Sequence, residues 1–290
     1  MPPDQLPAVV DEEDVDFDAL SFNDSRYWNH FYAADAEPAF YEWYSTEDWL
    51  PAAIEAVASR LRTQQKRTSL RIVDVGCGVS RTLFDLAEAH PEQWESLHGV
   101  DIAPAAVSFL CEQAAAPGAH AGLRFSESDA LALPCFSDGC ADVVLDKGCL
   151  DCFVSGDGGA GVATLLSQLA RVCAPGGRVL ILAVNGADVP RLLATGEIVP
   201  DPHARGAAAQ QWGASKRAAV ASSTALPWVQ RLWVVETVAC AEKHLLVCTT
   251  APPPDGAQQP RLRCHECGRS HAHATERCAC GNKLRRFALS

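Results

Sequence analysis

The hydrophobic pattern along the chain changes character near residue 69. Upstream, Leu50, Ile54, Val57 and Leu61 recur at helical spacing and predict an amphipathic helix over about 46–62, with Pro51 tolerated in its first turn. From Ser69 onward, short apolar runs alternate with amphipathic stretches. They predict strands over 70–75, 97–101, 122–127, 140–146 and 178–184, and helices over 80–90, 103–115 and 160–173. The last of these helices carries Val162, Leu165, Leu166, Leu169 and Val172 on one face, with Pro175-Gly176-Gly177 read as its stop. Two further apolar runs, Leu232 to Cys240 and His244 to Thr249, are close enough in sequence to form an antiparallel pair. Strand and helix alternating at this spacing imply an α/β fold, a mostly parallel sheet covered on both faces. Residues 185–228, Ala-rich and weakly periodic, are expected to place a helix and loops over the carboxyl edge of the sheet.

Composition sets the limits of that picture. A chain of 290 residues, 48% hydrophobic and 21% charged, accommodates one α/β domain with terminal additions. The expected organisation is an acidic disordered tail over 1–24, the α/β domain over 25–250, a Pro-rich linker over 251–262 and a Cys/His-rich tail over 263–290. Eight acids precede the first basic residue, Arg26, which fits neither a secretory nor a mitochondrial leader, so the cytoplasm is the expected address. No apolar run reaches the length of a membrane span. The 13 cysteines are scattered through strands and helices, and most read as reduced, buried small residues. A net charge of −12 argues against nucleic acid as the main substrate and leaves a protein surface easier to accommodate.

Candidate chemistry begins where the first strand ends. Asp74-Val75-Gly76-Cys77-Gly78 runs directly into a helix, and its glycines let a ligand lie against the backbone. Asp101 closes the second strand, where nucleoside-binding folds use an acid to accept from ribose hydroxyls, and Asp129 closes the third, placed for an adenine edge. Position 80 is Ser rather than the third glycine of a dinucleotide loop. S-adenosylmethionine has no pyrophosphate to hold, so this departure favours the methyl donor over NAD.

Taken together, GCGVS at 76–80, GVDIAP at 99–104, ADVVLDKGCLDCF at 141–153 and the upstream YWNHFY (27–32) and YEWY (41–44) resemble the methyltransferase-like protein lysine methyltransferases. That group includes enzymes acting on translation elongation factor 1-alpha and on citrate synthase. The resemblance covers roughly residues 25–185. It implies a Rossmann-like class I methyltransferase fold with a seven-stranded sheet, and a lysine ε-amine of a protein as acceptor. It also implies that Trp28, Tyr32 and Trp43 line the cofactor pocket with Gly76, Asp101, Ile102, Asp129, Ala130 and Lys147. Asp74 and Gly78 join them from the first loop. Cys149 and Cys152 stand where the group usually has Thr and Ala, and Val79 where it usually has Asn. Asp146 and Lys147, at the end of the fourth strand, are expected beside the sulfonium: the acid to orient the acceptor or cofactor, the lysine to contact the donor. The alternative for the pair is a salt bridge at the strand's end.

At the C-terminus, Cys264-His265-Glu266-Cys267-Gly268 and Cys278-Ala279-Cys280-Gly281 resemble two metal-binding knuckles, the second shortened. The thiolates of Cys264, Cys267, Cys278 and Cys280 predict a structural zinc site in a small zinc-ribbon-like appendage, with His271 or His273 available to replace a sulfur. Residues 261–290 hold seven Arg or Lys against two Glu, so this tail is expected to suit an acidic partner. Two other functions fit the same features: a small-molecule methyltransferase, and a non-catalytic protein that binds partners through the tail.

Overall fold

The structure, a computed structural model, describes residues 20–34, 39–118, 120–155, 161–183, 233–240, 243–250, 261–264 and 270–271. It opens with α1 (Ser25–Ala33), whose N-cap Asp24 accepts from the Arg26 amide at 3.0 Å, as N-cap acids do. Helix α2 (Leu50–Gln65) buries Leu50, Ile54, Val57, Ala58 and Leu61 and carries Pro51 in its first turn. It begins later and ends later than the apolar stripe predicts. Thr46 to Trp49 form a turn before it, and the chain leaves the helix only at Lys66, in a left-handed conformation (φ 54°).

Strand and helix then alternate: β1 (Leu70–Val75), α3 (Thr82–Ala89), β2 (Trp94–Asp101), α4 (Pro104–Ala114), β3 (Leu123–Glu127), β4 (Ala141–Lys147), α5 (Cys149–Ser155), α6 (Val162–Val172) and β5 (Cys173–Ala183). The antiparallel pair is present as β6 (Trp233–Cys240) and β7 (Lys243–Thr249). Sheet order is β3-β2-β1-β4-β5-β7-β6, continued by β8 (Arg261–Cys264) and β9 (Ser270–His271). Strands β1 to β5 are mutually parallel, and β7 runs antiparallel to both its neighbours.

Two sequence expectations are corrected. The sheet has nine strands rather than seven, because Arg261–Cys264 pairs in parallel with β6 instead of ending a linker, and β9 pairs onto β8. Pro175-Gly176-Gly177 does not terminate the preceding helix. That helix stops at Val172, and the three residues fall inside β5, where β4 advances from Ala141 to Val143 while β5 advances from Cys173 to Arg178. A Cβ at Gly177 would lie 2.7 Å from the Asp142 carbonyl, so the bulge needs glycine there.

The sheet divides two apolar layers. Ile72, Leu97, Val143, Leu145, Leu180, Leu182, Leu245 and Val247 face the layer shared with α2, α3 and α4. Their alternates Val73, Val75, Val100, Val144, Val179, Ile181 and Leu246 face α6. Being covered on both sides makes the central strands continuously hydrophobic. Among the described residues, no helix is long and apolar enough to cross a membrane. The segment 185–228, the acidic tail up to Ala19, and Cys267, Cys278 and Cys280 lie outside the described residues, as does the side chain of Cys264. Among the described residues, no group of three or more His, Cys, Asp or Glu side chains is arranged to hold a metal.

Candidate active site

After β1 the chain runs to β2 and β3 on one side, then returns to β4 on the other side of β1. Ligands of open α/β sheets bind outside the carboxyl ends of the strands at such a reversal. Here that position is occupied by the turn from β1 into α3. Gly76 (φ 69°) and Gly78 (φ 53°) take left-handed conformations, and the Gly76 and Cys77 amides donate to the Val100 carbonyl at 2.8 and 3.0 Å. A Cβ at Gly78 would meet the Tyr32 hydroxyl at 2.5 Å, and one at Gly76 would meet Cys149 Cβ at 2.7 Å. The turn is therefore a backbone surface with side chains pressed against it from two directions.

Asp101, buried at the end of β2, accepts from the Gly78 amide at 2.8 Å and the Ala103 amide at 3.0 Å. Burial pushes its carboxyl up, and these amides pull it back. It thus fixes the glycine turn as well as facing the cavity. Asp129 is exposed, two residues past β3, and its Oδ1 accepts from the Leu131 amide at 2.8 Å.

A cavity of about 420 Å³ opens above these groups. Of the residues expected from sequence, Trp28, Tyr32, Trp43, Gly76, Gly78, Asp101, Ile102, Asp129, Ala130 and Lys147 all line it. Asp74 and Asp146 do not; both are fully buried within their strands. Burial, assisted by the nearby Glu42 and Asp101 and opposed by Lys147, pushes the Asp74 carboxyl up to about 7. Neither of its oxygens has a hydrogen-bond partner among the described residues. Asp146 Oδ1 accepts from the Leu150 amide at 3.1 Å, at the start of α5, and burial holds its carboxyl well above the ordinary carboxylate range. Lys147 Nζ donates to Glu42 Oε2 at 2.6 Å in an ion pair whose side chains are 4% and 11% exposed.

Glu42 was not singled out in the sequence. It also accepts from Ser80 Oγ at 2.5 Å and from the Arg81 amide at 3.0 Å, so it joins the N-terminal segment to the β1 turn and to the end of β4. Its signal was slight: one acid among the aromatics of Tyr41-Glu42-Trp43-Tyr44.

Aromatic rings from the N-terminal segment form the outer wall. Trp28 lies over Tyr32 (5.9 Å, 27°) and meets Trp43 edge-on (5.7 Å, 88°), while its Nε1 donates to the Phe22 carbonyl at 2.6 Å. The Tyr44 hydroxyl donates to Asp151 Oδ2 at 2.5 Å, and its ring lies against Gly148 (φ 88°). Asp151, like Glu42, was missed as a site residue. Cys149 and Cys152 line the cavity, and burial pushes both thiols up, Cys152 to about 12. Protonated, uncharged thiols accord with small buried side chains rather than nucleophiles.

The cavity volume falls within the range of about 300–1,000 Å³ usual for small-molecule pockets. Its donor set matches S-adenosylmethionine: carboxylates at two strand ends for a nucleoside, a glycine backbone surface that a Cβ would fill, and no third glycine for a diphosphate. A cavity of this chemistry at the β1/β4 reversal of a parallel sheet defines a Rossmann-like, class I methyltransferase dependent on S-adenosylmethionine. The chain belongs to the family described as Methyltransferase domain, which matches residues 66–228, more than half its length.

Two relatives are similar to part of the chain. An "eEF1A lysine and N-terminal methyltransferase" of Danio rerio is 29% identical over 177 residues, which cover 60% of this chain and 23% of that protein. An "EEF1A lysine methyltransferase 4" of Mus musculus is 28% identical over 177 residues, 58% of this chain and 63% of that one. The chain therefore spans less than two thirds of the length of either relative. A SAM dependent methyltransferase from Aquifex aeolicus overlaps 72% of this chain and 93% of its own at 13% identity, with a TM-score of 0.43.

Proposed function

We propose that this methyltransferase transfers the methyl group to a lysine ε-amine of a protein, an elongation factor 1A-like protein being the first candidate. The observation that carries the reading is the wall of the cavity. Trp28, Tyr32, Tyr41 and Trp43 line it, and an aromatic wall suits a cationic amine on a long apolar stem. The names of the two relatives point to the same acceptor. Bound S-adenosylmethionine supplies an electrophilic methyl on a sulfonium. The chain's part is to hold an amine in line with it and to exclude water. Asp101 and Asp129 would hold the nucleoside, and the Gly76 to Gly78 backbone would lie against the remainder.

The test is incubation with isotopically labelled donor and either purified elongation factor 1A or a proteome extract. A labelled protein band that disappears on Lys-to-Arg substitution supports the reading, and label confined to small metabolites refutes it. For the C-terminal segment, our reading is that Cys264, Cys267, Cys278 and Cys280 hold a structural zinc. The Cys-x-x-Cys-Gly spacing at 264–268 supports it.

A further inference from the structure

The cavity has two ends, set by the order of strands. The carboxyl ends of β2 and β3, with Asp101 and Asp129, lie on one side of the Gly76 to Gly78 turn. The carboxyl end of β4 lies on the other, where Lys147 and Gly148 lead into α5. A nucleoside held at the first end leaves the reacting part of the donor over the second.

The carboxylates that line the cavity are used differently at the two ends. Asp101 is tied by the backbone amides of Gly78 and Ala103, and Asp129 Oδ1 by that of Leu131. At the β4 end, the lining acid among the described residues is Asp151, in the first turn of α5. Its Oδ2 takes a hydrogen bond from the hydroxyl of Tyr44, which reaches it from 107 residues away in sequence. Tyr44 is held in place by close packing: a Cβ at Gly148 would lie 3.0 Å from both its ring and its hydroxyl. Burial and the neighbouring acids push this phenol up, so it stays a donor. The thiols of Cys149 and Cys152, also in the lining, are kept protonated and carry no charge. Lys147 has its own carboxylate in Glu42.

We infer that the Tyr44–Asp151 pair is the subsite for the acceptor amine, with Asp151 receiving the incoming ammonium and Tyr44 fixing the plane of its carboxylate. The inference rests on the lysine reading above and deepens it. An ammonium has no lone pair, so one N–H proton passes to the Asp151 carboxylate, leaving a neutral amine and a carboxylic acid. The nitrogen lone pair then forms the N–C bond, the C–S bond breaks with its electron pair on sulfur, and the products are a methylated ammonium and a neutral thioether. An acid at this point also selects the acceptor, because an amine arrives as a cation and an alcohol or carboxylate does not.

Sinefungin, a donor analogue with a carbon bearing a charged amine in place of the sulfonium methyl, probes this subsite without turnover. S-adenosylhomocysteine has the same frame without the amine. Titration calorimetry of the full chain with both ligands gives their affinity ratio in the wild type, Asp151→Asn and Tyr44→Phe. The expected result is a loss of roughly ten- to a hundredfold in sinefungin affinity for Asp151→Asn, the usual value of a hydrogen bond between charged groups. Affinity for S-adenosylhomocysteine should be unchanged. Tyr44→Phe should lose a smaller part of the same preference, a pattern that a merely structural role for the pair would not produce. An unchanged ratio in both variants overturns the inference. Where Asp151→Asn shows no cooperative melt, an unchanged ratio in Tyr44→Phe alone overturns it. A wild type that binds neither ligand overturns the donor reading itself, a result distinct from an altered ratio.

Discussion

Replacing Glu42 with Ala tests how the N-terminal segment is fastened over the cavity. The substitution removes the partner of Lys147 Nζ and the acceptor of Ser80 Oγ and the Arg81 amide. Lys147 is 4% exposed, so its charge would be left almost wholly out of water. Removing one member of a buried ion pair costs about 3–5 kcal/mol. Glu42 is itself 11% exposed and water reaches part of the gap, which places the expectation near the lower end, about 3 kcal/mol. A domain of this size loses about 2–4 °C of melting temperature per kcal/mol, so Glu42→Ala should melt about 6–12 °C lower. Glu42→Gln keeps an acceptor oxygen and should lose less. The double variant Glu42→Ala, Lys147→Met removes the stranded charge and should recover most of the loss. The assay is thermal unfolding by circular dichroism, with Lys147→Met alone completing a double-mutant cycle of wild type, Glu42→Ala, Lys147→Met and the double variant. A Glu42→Ala variant that melts within about 2 °C of wild type, or a double variant no better than it, would refute the reasoning.

Gly78→Ala places a Cβ 2.5 Å from the Tyr32 hydroxyl at φ 53°, a strain of about 1–3 kcal/mol; S-adenosylhomocysteine affinity should fall at least about tenfold by calorimetry, and adding Tyr32→Phe should restore part of it. Asp74 should make stability depend on pH with a defined sign. Between its ordinary value near 3.8 and about 7, its carboxyl is protonated in the folded chain and ionised in the unfolded one. The folded state then holds the extra proton, so stability falls as pH rises through that window and levels off above it. Asp74→Asn removes the effect: the gap in melting temperature in favour of the variant should widen from about pH 4.5 to about pH 7.5, and a constant gap contradicts the assignment. Elemental analysis of the purified full chain should find about one zinc per molecule, lost when Cys264 and Cys267 are both replaced by Ser. A metal-free wild type rules the site out.

The strands of the sheet were readable because each central one is a short apolar run covered on both faces, and such runs stand out against their polar connections. Helix α5 was not, since seven residues directly after Gly148 are too few to show a helical period. Pro175-Gly176-Gly177 announced a break in regular structure correctly, but local chemistry does not distinguish a helix stop from a strand bulge. The difference lay in the partner strand, where Asp142 leaves room only for a glycine. Within the site, Gly76, Gly78, Asp101 and Asp129 were legible because each sits beside a strand end and its role follows from that position. The Glu42–Lys147 and Tyr44–Asp151 pairs join residues more than 100 positions apart, and nothing near them in the chain names those partners. Asp74 and Asp146 show the converse. Their place near the carboxyl edge suggested the cavity, but side-chain direction in a strand alternates, and both turned into the protein.

The reversal of strand order at β1 makes the donor cavity a composite of five stretches of chain, within 22–44, 76–79, 101–102, 128–131 and 147–153. A fragment beginning at α2 would keep the strands and lose the aromatic wall, leaving a trough in place of a pocket. Ligand affinity is consequently a gauge of the whole fold. Donor or product at a hundred times its dissociation constant would add about 2.7 kcal/mol to global stability, distributed over every segment that must be in place to bind it. Substitutions far from the cavity, such as at Asp142 beneath its two arginines, would then be masked in cells rich in donor and exposed in cells depleted of it.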